Sequence, residues 1–190
     1  MTAAGPLSGT FARVRSGPVS APVLGLVGCA ADGVESLRGR LVEPLLAGGW
    51  RVAVTLTPAA ARWLEATGEI GRIATATGLP VRWAPRLPSE PRPHPDPDCV
   101  AVVPATANTV AKLALGLADN QALTMLCEAL GSGVPIVLGP RVNAAHAGHP
   151  AWAGHLAALR LAGVHLVADD DPGEVLRVVR ACVDGPFAGR

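Results

Sequence analysis

The segment that decides the fold is Pro104-Ala-Thr-Ala-Asn-Thr-Val-Ala-Lys-Leu-Ala-Leu-Gly-Leu-Ala-Asp-Asn120. It follows the apolar run Cys99-Val-Ala-Val-Val103, which is typical of a buried strand and is expected to end at the proline. Thr106, Asn108 and Thr109 then stand where a helix begins, and such residues either cap the helix or bind a polar ligand there. The segment therefore predicts a ligand-binding turn at the carboxyl end of a strand, where open α/β sheets bind their ligands.

Strand patterns alternate with helical patterns along the chain. Each strand is apolar on both faces, which is typical of a parallel sheet covered by helices on both sides. The expected strands are 22–27, 51–56, 99–103, 136–138 and 164–167, with a short one near 81–83, and the expected helices are 34–47, 58–64, 107–131, 150–162 and 172–183. We therefore predict an α/β fold with a doubly wound, Rossmann-like or flavodoxin-like parallel sheet. The single domain spans 21–190 and follows a flexible N-terminal tail at 1–20.

Composition limits the classes of partner. Of the 190 residues 49% are hydrophobic and 16% charged, and the mean hydropathy is +0.35, which indicates that some apolar surface is buried between subunits. The formal net charge of +1 gives no reason to expect nucleic acid or an anionic membrane as partner. No uninterrupted run of about 18 apolar residues occurs, so no membrane span is predicted.

Neither the cysteines nor the histidines follow a metal-ligand pattern. The four cysteines are scattered and are expected to be free thiols; since no basic and apolar leader opens the chain, a reduced cytoplasm is the expected compartment. His146, His149 and His155 are close in sequence, but their spacing suits no helical ligand pair and Pro150 interrupts it. We therefore predict no metal site.

The sequence of residues 104–120 resembles the Pro-Ala-Ser-Ala-Asn-Thr signature of the homo-oligomeric flavin-dependent cysteine decarboxylases. That family includes phosphopantothenoylcysteine decarboxylase and the peptidyl-cysteine decarboxylases of lanthipeptide biosynthesis, and its downstream Lys, Gly and Asp-Asn are also present here. The resemblance implies FMN as cofactor. Its expected contacts in this segment are Pro104, Ala105, Thr106, Asn108 and Thr109.

The turn after the first strand, Gly28-Cys-Ala-Ala-Asp-Gly33, is a second candidate for ligand binding. A glycine there lets backbone N–H groups approach an anion at the start of the next helix, although many α/β proteins carry such a glycine for the turn alone. The turn is neither a dinucleotide-binding loop nor a P-loop. In the family that the chain resembles, this turn holds the FMN phosphate, usually with Ser in place of Cys. The resemblance thus implies FMN contacts from Gly28, Cys29, Ala30 and Thr57.

A third candidate is Gly139-Pro-Arg-Val-Asn-Ala-Ala-His146. It resembles the family's Pro-Ala-Met-Asn-x-x-Met-Trp segment, whose Asn contacts the substrate carboxylate, and this implies the same role for Asn143. Arg141 stands where the family usually has Ala. It is either a cation that pairs with an anionic substrate or a solvated loop arginine.

The catalytic histidine of the family has no direct counterpart. It usually stands about fourteen residues before the signature proline, where this chain has Glu90. The nearest candidate is His94, within a proline-rich segment at 80–98 that excludes a regular helix. His94 is either catalytic or an exposed loop residue. The C-terminal Cys-Gly segment of the phosphopantothenoylcysteine decarboxylases is also absent, since Cys182 lies in a helical pattern.

The resemblance implies an FMN-dependent oxidative decarboxylase of a cysteine-like thiol carboxylate, such as a peptide C-terminal cysteine. In the implied mechanism the thiol is oxidised to a thioaldehyde, electrons pass to the flavin, and the carboxylate leaves as carbon dioxide. The family works as homo-oligomers, so a trimer or dodecamer is expected. One alternative is an FMN-binding flavoprotein without decarboxylase activity, as a carrier or regulatory subunit. A flavin prenyltransferase is disfavoured because the chain has no cluster of basic residues for a prenyl phosphate.

Overall fold

A computed structural model describes residues 21–167 and 171–184. The predicted tail at 1–20 lies outside the described residues. The described strands form a parallel sheet of five in the order β2-β1-β3-β4-β5. They are β1 (Val23–Gly28), β2 (Arg51–Leu56), β3 (Cys99–Ala105), β4 (Ile136–Pro140) and β5 (His165–Leu166). This order, in which the chain winds outward in both directions from β1 and β3, confirms the predicted doubly wound α/β fold.

Helices cover both faces of the sheet. The described α-helices are α1 (Glu43–Ala47), α2 (Pro58–Ala66), α3 (Glu69–Thr77), α4 (Ala107–Ala114), α5 (Gln121–Gly131), α6 (Ala144–Ala147), α7 (Trp152–Leu161) and α8 (Pro172–Asp184). One core cluster lies between the sheet and α1, α2, α3 and α8, and a second lies between the sheet and α4, α5 and α7. Buried strand residues therefore have apolar neighbours on both sides, as their continuous apolar runs predicted. Within the described ranges, no helix is long and apolar enough to cross a membrane.

Two predicted helices differ from the observed ones. The region expected to form one helix at 34–47 instead consists of a 3₁₀ turn, a π-helical turn and then α1. The helix expected at 107–131 is two helices, because Gly116 adopts a left-handed φ of 70° after α4 and Asn120 caps α5. The single-helix prediction was wrong because it took a continuous apolar pattern as a continuous helix. The helix α3 was not predicted.

The strand β3 extends through Pro104 to Ala105, where the sequence predicted that it would end. Proline lacks an N–H group but keeps its carbonyl oxygen. The carbonyl oxygen of Pro104 accepts a hydrogen bond of 3.1 Å from the N–H of Cys29, and the carbonyl oxygen of Ala105 accepts one of 2.8 Å from the N–H of Arg141. These two bonds hold the chain segments after β1 and β4 beside the end of β3.

Candidate functional site

A cavity of about 440 Å³ lies at the carboxyl ends of β1, β3 and β4. It opens to solvent, and most of its walls come from the turns that follow these three strands. The lining residues are Ala30, Ala31, Asp32, Thr106, Ala107, Asn108, Arg141, Val142, Asn143 and His146. The three segments that the sequence singled out therefore meet at one place, as the convergence of parallel strand ends requires.

The N-terminus of α4 faces this cavity. Thr106 is its N-cap, with a side-chain oxygen that accepts a hydrogen bond of 3.3 Å from the N–H of Thr109. The preceding N–H groups, of Ala107 and Asn108, have no partner within the helix, as at every helix start. Together with the helix dipole they favour a negatively charged or polar ligand. Asn108 adds an exposed side-chain amide with both a donor and an acceptor.

Asn143 is held by the helix that it caps. Its Oδ1 accepts a hydrogen bond of 2.9 Å from the N–H of His146, at the start of α6. The oxygen end of the amide is thus used for capping, which leaves the nitrogen end as the group that can donate to a ligand. An amide nitrogen is a donor only, so it suits a carboxylate rather than a cation.

Arg141 and Asp32 form an ion pair at the cavity. The distance from Arg141 Nη2 to Asp32 Oδ2 is 2.9 Å, and the two side chains are 44% and 80% exposed. The pair joins the turn after β1 to the turn after β4. Ion pairs this exposed contribute little to stability, typically about 0.2–1 kcal/mol, so an incoming anion can replace Asp32 at the guanidinium.

Cys29 and Thr109 lie at the site, but their side chains point into the protein. Cys29 is completely buried, and its thiol donates a hydrogen bond of 3.3 Å to Thr109 Oγ1. The hydroxyls of Thr109 and Thr106 are 3.1 Å apart. Burial raises the pKa of the Cys29 thiol, although the hydrogen bonds with the two threonines oppose this. The thiol is therefore neutral at physiological pH. Because the backbone N–H of Cys29 already donates to Pro104, hydrogen bonds to an anionic ligand at this turn must come from its neighbouring residues.

Gly28 is required for packing. A Cβ atom at this position would lie 2.9 Å from Leu56 Cδ2 and 3.2 Å from Leu37 Cδ2, and both leucines are buried. The absence of a side chain at position 28 is therefore explained by the close approach of the first helical segment to the sheet. The predicted ligand contacts of Pro104, Ala105 and Thr57 are also not in the cavity lining. The first two are buried in β3, and Thr57 caps α2 as its sequence predicted.

His94 lies apart from the cavity lining. Its Nε2 donates a hydrogen bond of 2.6 Å to the carbonyl oxygen of Pro80, within the proline-rich segment. Burial lowers the pKa of His94, partly opposed by this hydrogen bond. Its catalytic role stays a prediction. The imidazole that does line the cavity belongs to His146, which sequence reasoning had considered only as a metal ligand.

Asp32 was missed by the sequence reasoning, although it stands inside the turn that was singled out. The one feature of the sequence that could have drawn attention to Asp32 is its acidic side chain in a turn expected to bind an anion.

Lys112, in α4, forms an ion pair with Asp119, and the positive charge lowers the pKa of the Asp119 carboxyl. Lys112 is therefore engaged away from the cavity lining. Across 21–167 and 171–184, no group of three or more His, Cys, Asp or Glu side chains is placed to hold a metal ion.

Comparison with known proteins gives a consistent set of matches. The model of the family described as Flavoprotein matches residues 29–185. A cysteine/cysteine sulfinic acid decarboxylase from an unknown prokaryotic organism is 36% identical over 76 residues, which are 40% of this chain and 20% of that protein. A phosphopantothenoylcysteine decarboxylase from Oryza sativa subsp. japonica is 36% identical over 70 residues, 37% of this chain and 31% of that protein. The chain thus aligns with a fifth to a third of the lengths of these curated relatives.

Among solved structures, the chain is similar to an FMN-dependent cysteine decarboxylase from thioviridamide biosynthesis. The TM-score is 0.62 and the identity 27%, over 84% of this chain and 94% of that one. The similarity thus extends over nearly the whole of both chains.

Proposed function

The chain belongs to the Flavoprotein family, and from this premise we propose that it is an FMN-dependent decarboxylase of a cysteine-like thiol carboxylate. The proposed substrate is a peptide with a C-terminal cysteine. The observation that carries the proposal is the convergence on one cavity of the N-terminus of α4, the amide of Asn143 and the guanidinium of Arg141. The membership confirms the family resemblance of residues 104–120. The activities named for the curated relatives support the choice of reaction.

The donors and the shape of the cavity fit FMN. Ala30, Ala31 and Ala107 have small side chains, which leave room for a planar ring system. Backbone N–H groups at the start of α4 and the amide of Asn108 suit a phosphate and the polar edge of the ring. We propose that these groups, with Thr106 and the backbone of Ala30 in the turn after β1, hold the cofactor. When bound, FMN supplies an acceptor for the two electrons that the cysteine thiol loses on oxidation to a thioaldehyde.

Asn143 and Arg141 are proposed to bind the substrate carboxylate. Asn143 donates from its nitrogen end, and Arg141 exchanges Asp32 for the carboxylate of the substrate at little cost. This holds the bond between the carboxylate and the α-carbon in one orientation. When that bond breaks, carbon dioxide leaves and the neighbouring thioaldehyde takes the electron pair. The contribution of these residues is therefore position and charge.

We propose that the protein is a homo-oligomer in the cytoplasm. Leu161 at the end of α7 is 91% exposed, and Leu115 after α4 is 64% exposed, while α4 and α7 pack against each other. Apolar side chains exposed on neighbouring helices are typical of a surface that another subunit covers. The four cysteines are free, which fits a reducing compartment.

The decisive experiment begins with the visible absorption spectrum of the purified protein and mass identification of the compound that denaturation releases. Oxidised-flavin bands and released FMN are expected. The protein is then incubated in air with a peptide that ends in cysteine and with a matched peptide that ends in serine. Loss of carbon dioxide and two hydrogen atoms from the cysteine peptide alone supports the proposal. A yellow protein that leaves both peptides unchanged supports a flavin carrier instead.

A further inference from the structure

The proline-rich segment at 80–98 forms a second cavity, separate from the first. This open cleft of about 420 Å³ is lined by proline rings and by the side chains of Arg82, Trp83, Arg86 and Glu90. Trp83 is 39% exposed. Tryptophan and arginine are residue types enriched at the binding hot spots of interfaces.

The cleft is held in shape by hydrogen bonds within the segment. Arg86 Nη1 donates to the carbonyl oxygens of Leu87, Pro88 and Glu90 at 3.0, 3.3 and 2.6 Å. The carboxylate of Glu90 accepts a hydrogen bond of 2.8 Å from the N–H of Leu87. Arg86 and Glu90 are therefore used to hold the backbone. A ligand that binds here meets a surface that is already ordered, which reduces the entropic cost of binding.

Arg82 has unused donors. A guanidinium has several N–H groups, and among the described residues the Arg82 side chain uses one of them, in a long hydrogen bond of 3.4 Å to the carbonyl oxygen of Ala84. Burial lowers the pKa of Arg82, and the neighbouring charge of Arg86 lowers it further. The charge of Glu90 partly opposes this lowering of the pKa, and an anionic group at the guanidinium would oppose it further, since an opposite charge favours the charged form. With two guanidinium groups and one carboxylate, the cleft favours an acidic ligand.

The cleft lies at the same edge of the sheet as the first cavity. The backbone of Arg82 pairs in parallel with Thr55, on the outer side of β2. Residues after Arg82 therefore run past the carboxyl ends of the strands. From this pairing across β2, β1 and β3 to β4 there are four strand spacings, about 19 Å in all. An extended peptide covers that distance with about five or six residues.

We propose that this cleft binds the part of a peptide substrate that precedes its C-terminal cysteine, through an acidic side chain at Arg82 and an apolar side chain on Trp83. This inference rests on the proposed function, since the carboxyl terminus of the peptide is placed at Asn143 and Arg141. The acidic residue lies about five or six positions before the cysteine. The cleft thereby selects among peptides that the first cavity alone cannot distinguish.

The test uses the full-length FMN-loaded protein and fluorescein-labelled peptides that end in cysteine. One peptide has Glu at the fifth and sixth positions before the cysteine, and its matched partner has Gln there. Binding is measured by fluorescence anisotropy, and turnover by loss of carbon dioxide from the peptides and from N-acetylcysteine. The variants are Arg82→Gln and Trp83→Ala. The control is Arg92→Gln, because Arg92 is in the same segment, pairs with Asp96 and does not line the cleft.

The Glu peptide is expected to bind about tenfold more tightly than the Gln peptide, since a carboxylate forms a stronger hydrogen bond with the Arg82 guanidinium than a neutral amide does. Arg82→Gln should remove this difference, and Arg92→Gln should preserve it. Equal binding of the two peptides by the unchanged protein would overturn the proposal, whatever the variants do. Decarboxylation of N-acetylcysteine reports separately on the proposed function, because that substrate does not reach the cleft.

Discussion

The first cavity and the proline-rich segment lie at the same edge of the sheet, yet they are held in different ways. Around the cavity, Thr106 and Asn143 cap helices that begin directly after strands, so each position depends on a few neighbouring residues. In the segment at 80–98, Arg86 and His94 hold backbone carbonyls up to fourteen residues away. A site built from helix caps can therefore be located from the sequence, whereas a loop built from side-chain contacts cannot.

The two regions also differ in what they can recognise. The cavity presents backbone N–H groups, an amide and one arginine, which suits a cofactor and a carboxylate. The cleft presents a tryptophan, proline rings and arginines, which suits a peptide. If both proposals hold, chemistry and peptide selection are separate, and substitutions in one region should leave the other intact.

The largest effect is expected for Asn143→Asp. An aspartate oxygen can still accept the hydrogen bond from the N–H of His146, so α6 keeps its cap. The amide nitrogen, however, is replaced by a negatively charged oxygen that repels the substrate carboxylate. We expect decarboxylation to fall about 100-fold or more while FMN content and thermal stability stay unchanged. Steady-state kinetics with released FMN measured in parallel checks this, and normal turnover would exclude Asn143 as the carboxylate ligand.

The second effect concerns the packing behind the cavity. Gly28→Ala places a Cβ against Leu56 and Leu37, so we expect the free energy of unfolding to fall by about 1–3 kcal/mol. The matched control is Gly71→Ala, because a Cβ at this exposed position in α3 contacts nothing within 4 Å. That variant should be more stable than the parent by about 0.5–1 kcal/mol. Denaturant unfolding measures both, and equal effects would contradict the packing argument.

A smaller effect is expected on KM, in opposite directions for substitutions at Arg141 and at Asp32. Arg141→Gln should raise KM for the cysteine peptide about tenfold, because it removes a charge that pairs with the carboxylate. Asp32→Asn should lower KM by about two- to fivefold, because it removes the internal competitor. In the double variant the Asp32 effect should disappear, since there is no guanidinium left to compete for. If Asp32→Asn instead raises KM, the Asp32 carboxylate does not act as an internal competitor for Arg141.

The smallest effect comes from His94 and is a pH dependence of stability. Burial lowers the pKa of His94 below its ordinary value of about 6.5, so the folded state favours the neutral imidazole. The stabilisation is complete above about pH 6.5 and is lost as the pH falls through the lower folded pKa, since the unfolded chain then binds more protons. Relative to His94→Gln, the parent should therefore lose stability on acidification. Unfolding curves at several pH values test this, with His149→Gln as an exposed control.

Most of the fold could be predicted from the sequence. The strands are continuous apolar runs, and the Thr57-Pro58 pair marks the start of α2 by local rules that tertiary contacts do not override. The break after α4 was missed although local rules mark it, with Gly116 at the end of one helix and Asn120 capping the next. The prediction followed the apolar pattern, which continues across Gly116, instead of these two signals.

The candidate site was predicted in part. Thr106 and Asn108 were identified because they start a helix after a strand, whereas Asn143 was identified from the family resemblance of its segment. The inward direction of the Cys29 and Thr109 side chains could not be read from the sequence, because residues beside a turn can face either the ligand or the core. The pairing of Asp32 with Arg141 was equally hidden, since it joins positions 109 residues apart.

The buried thiol of Cys29 has a practical consequence. Its S–H group donates to Thr109, whose hydroxyl in turn contacts the cap of α4, so the thiol is joined to the wall of the cavity while solvent and alkylating reagents cannot reach it. The S–H stretching vibration absorbs in an infrared region that is otherwise almost empty in proteins. The chain thus carries a native vibrational reporter, which should shift when a molecule enters the cavity and needs no label to be introduced.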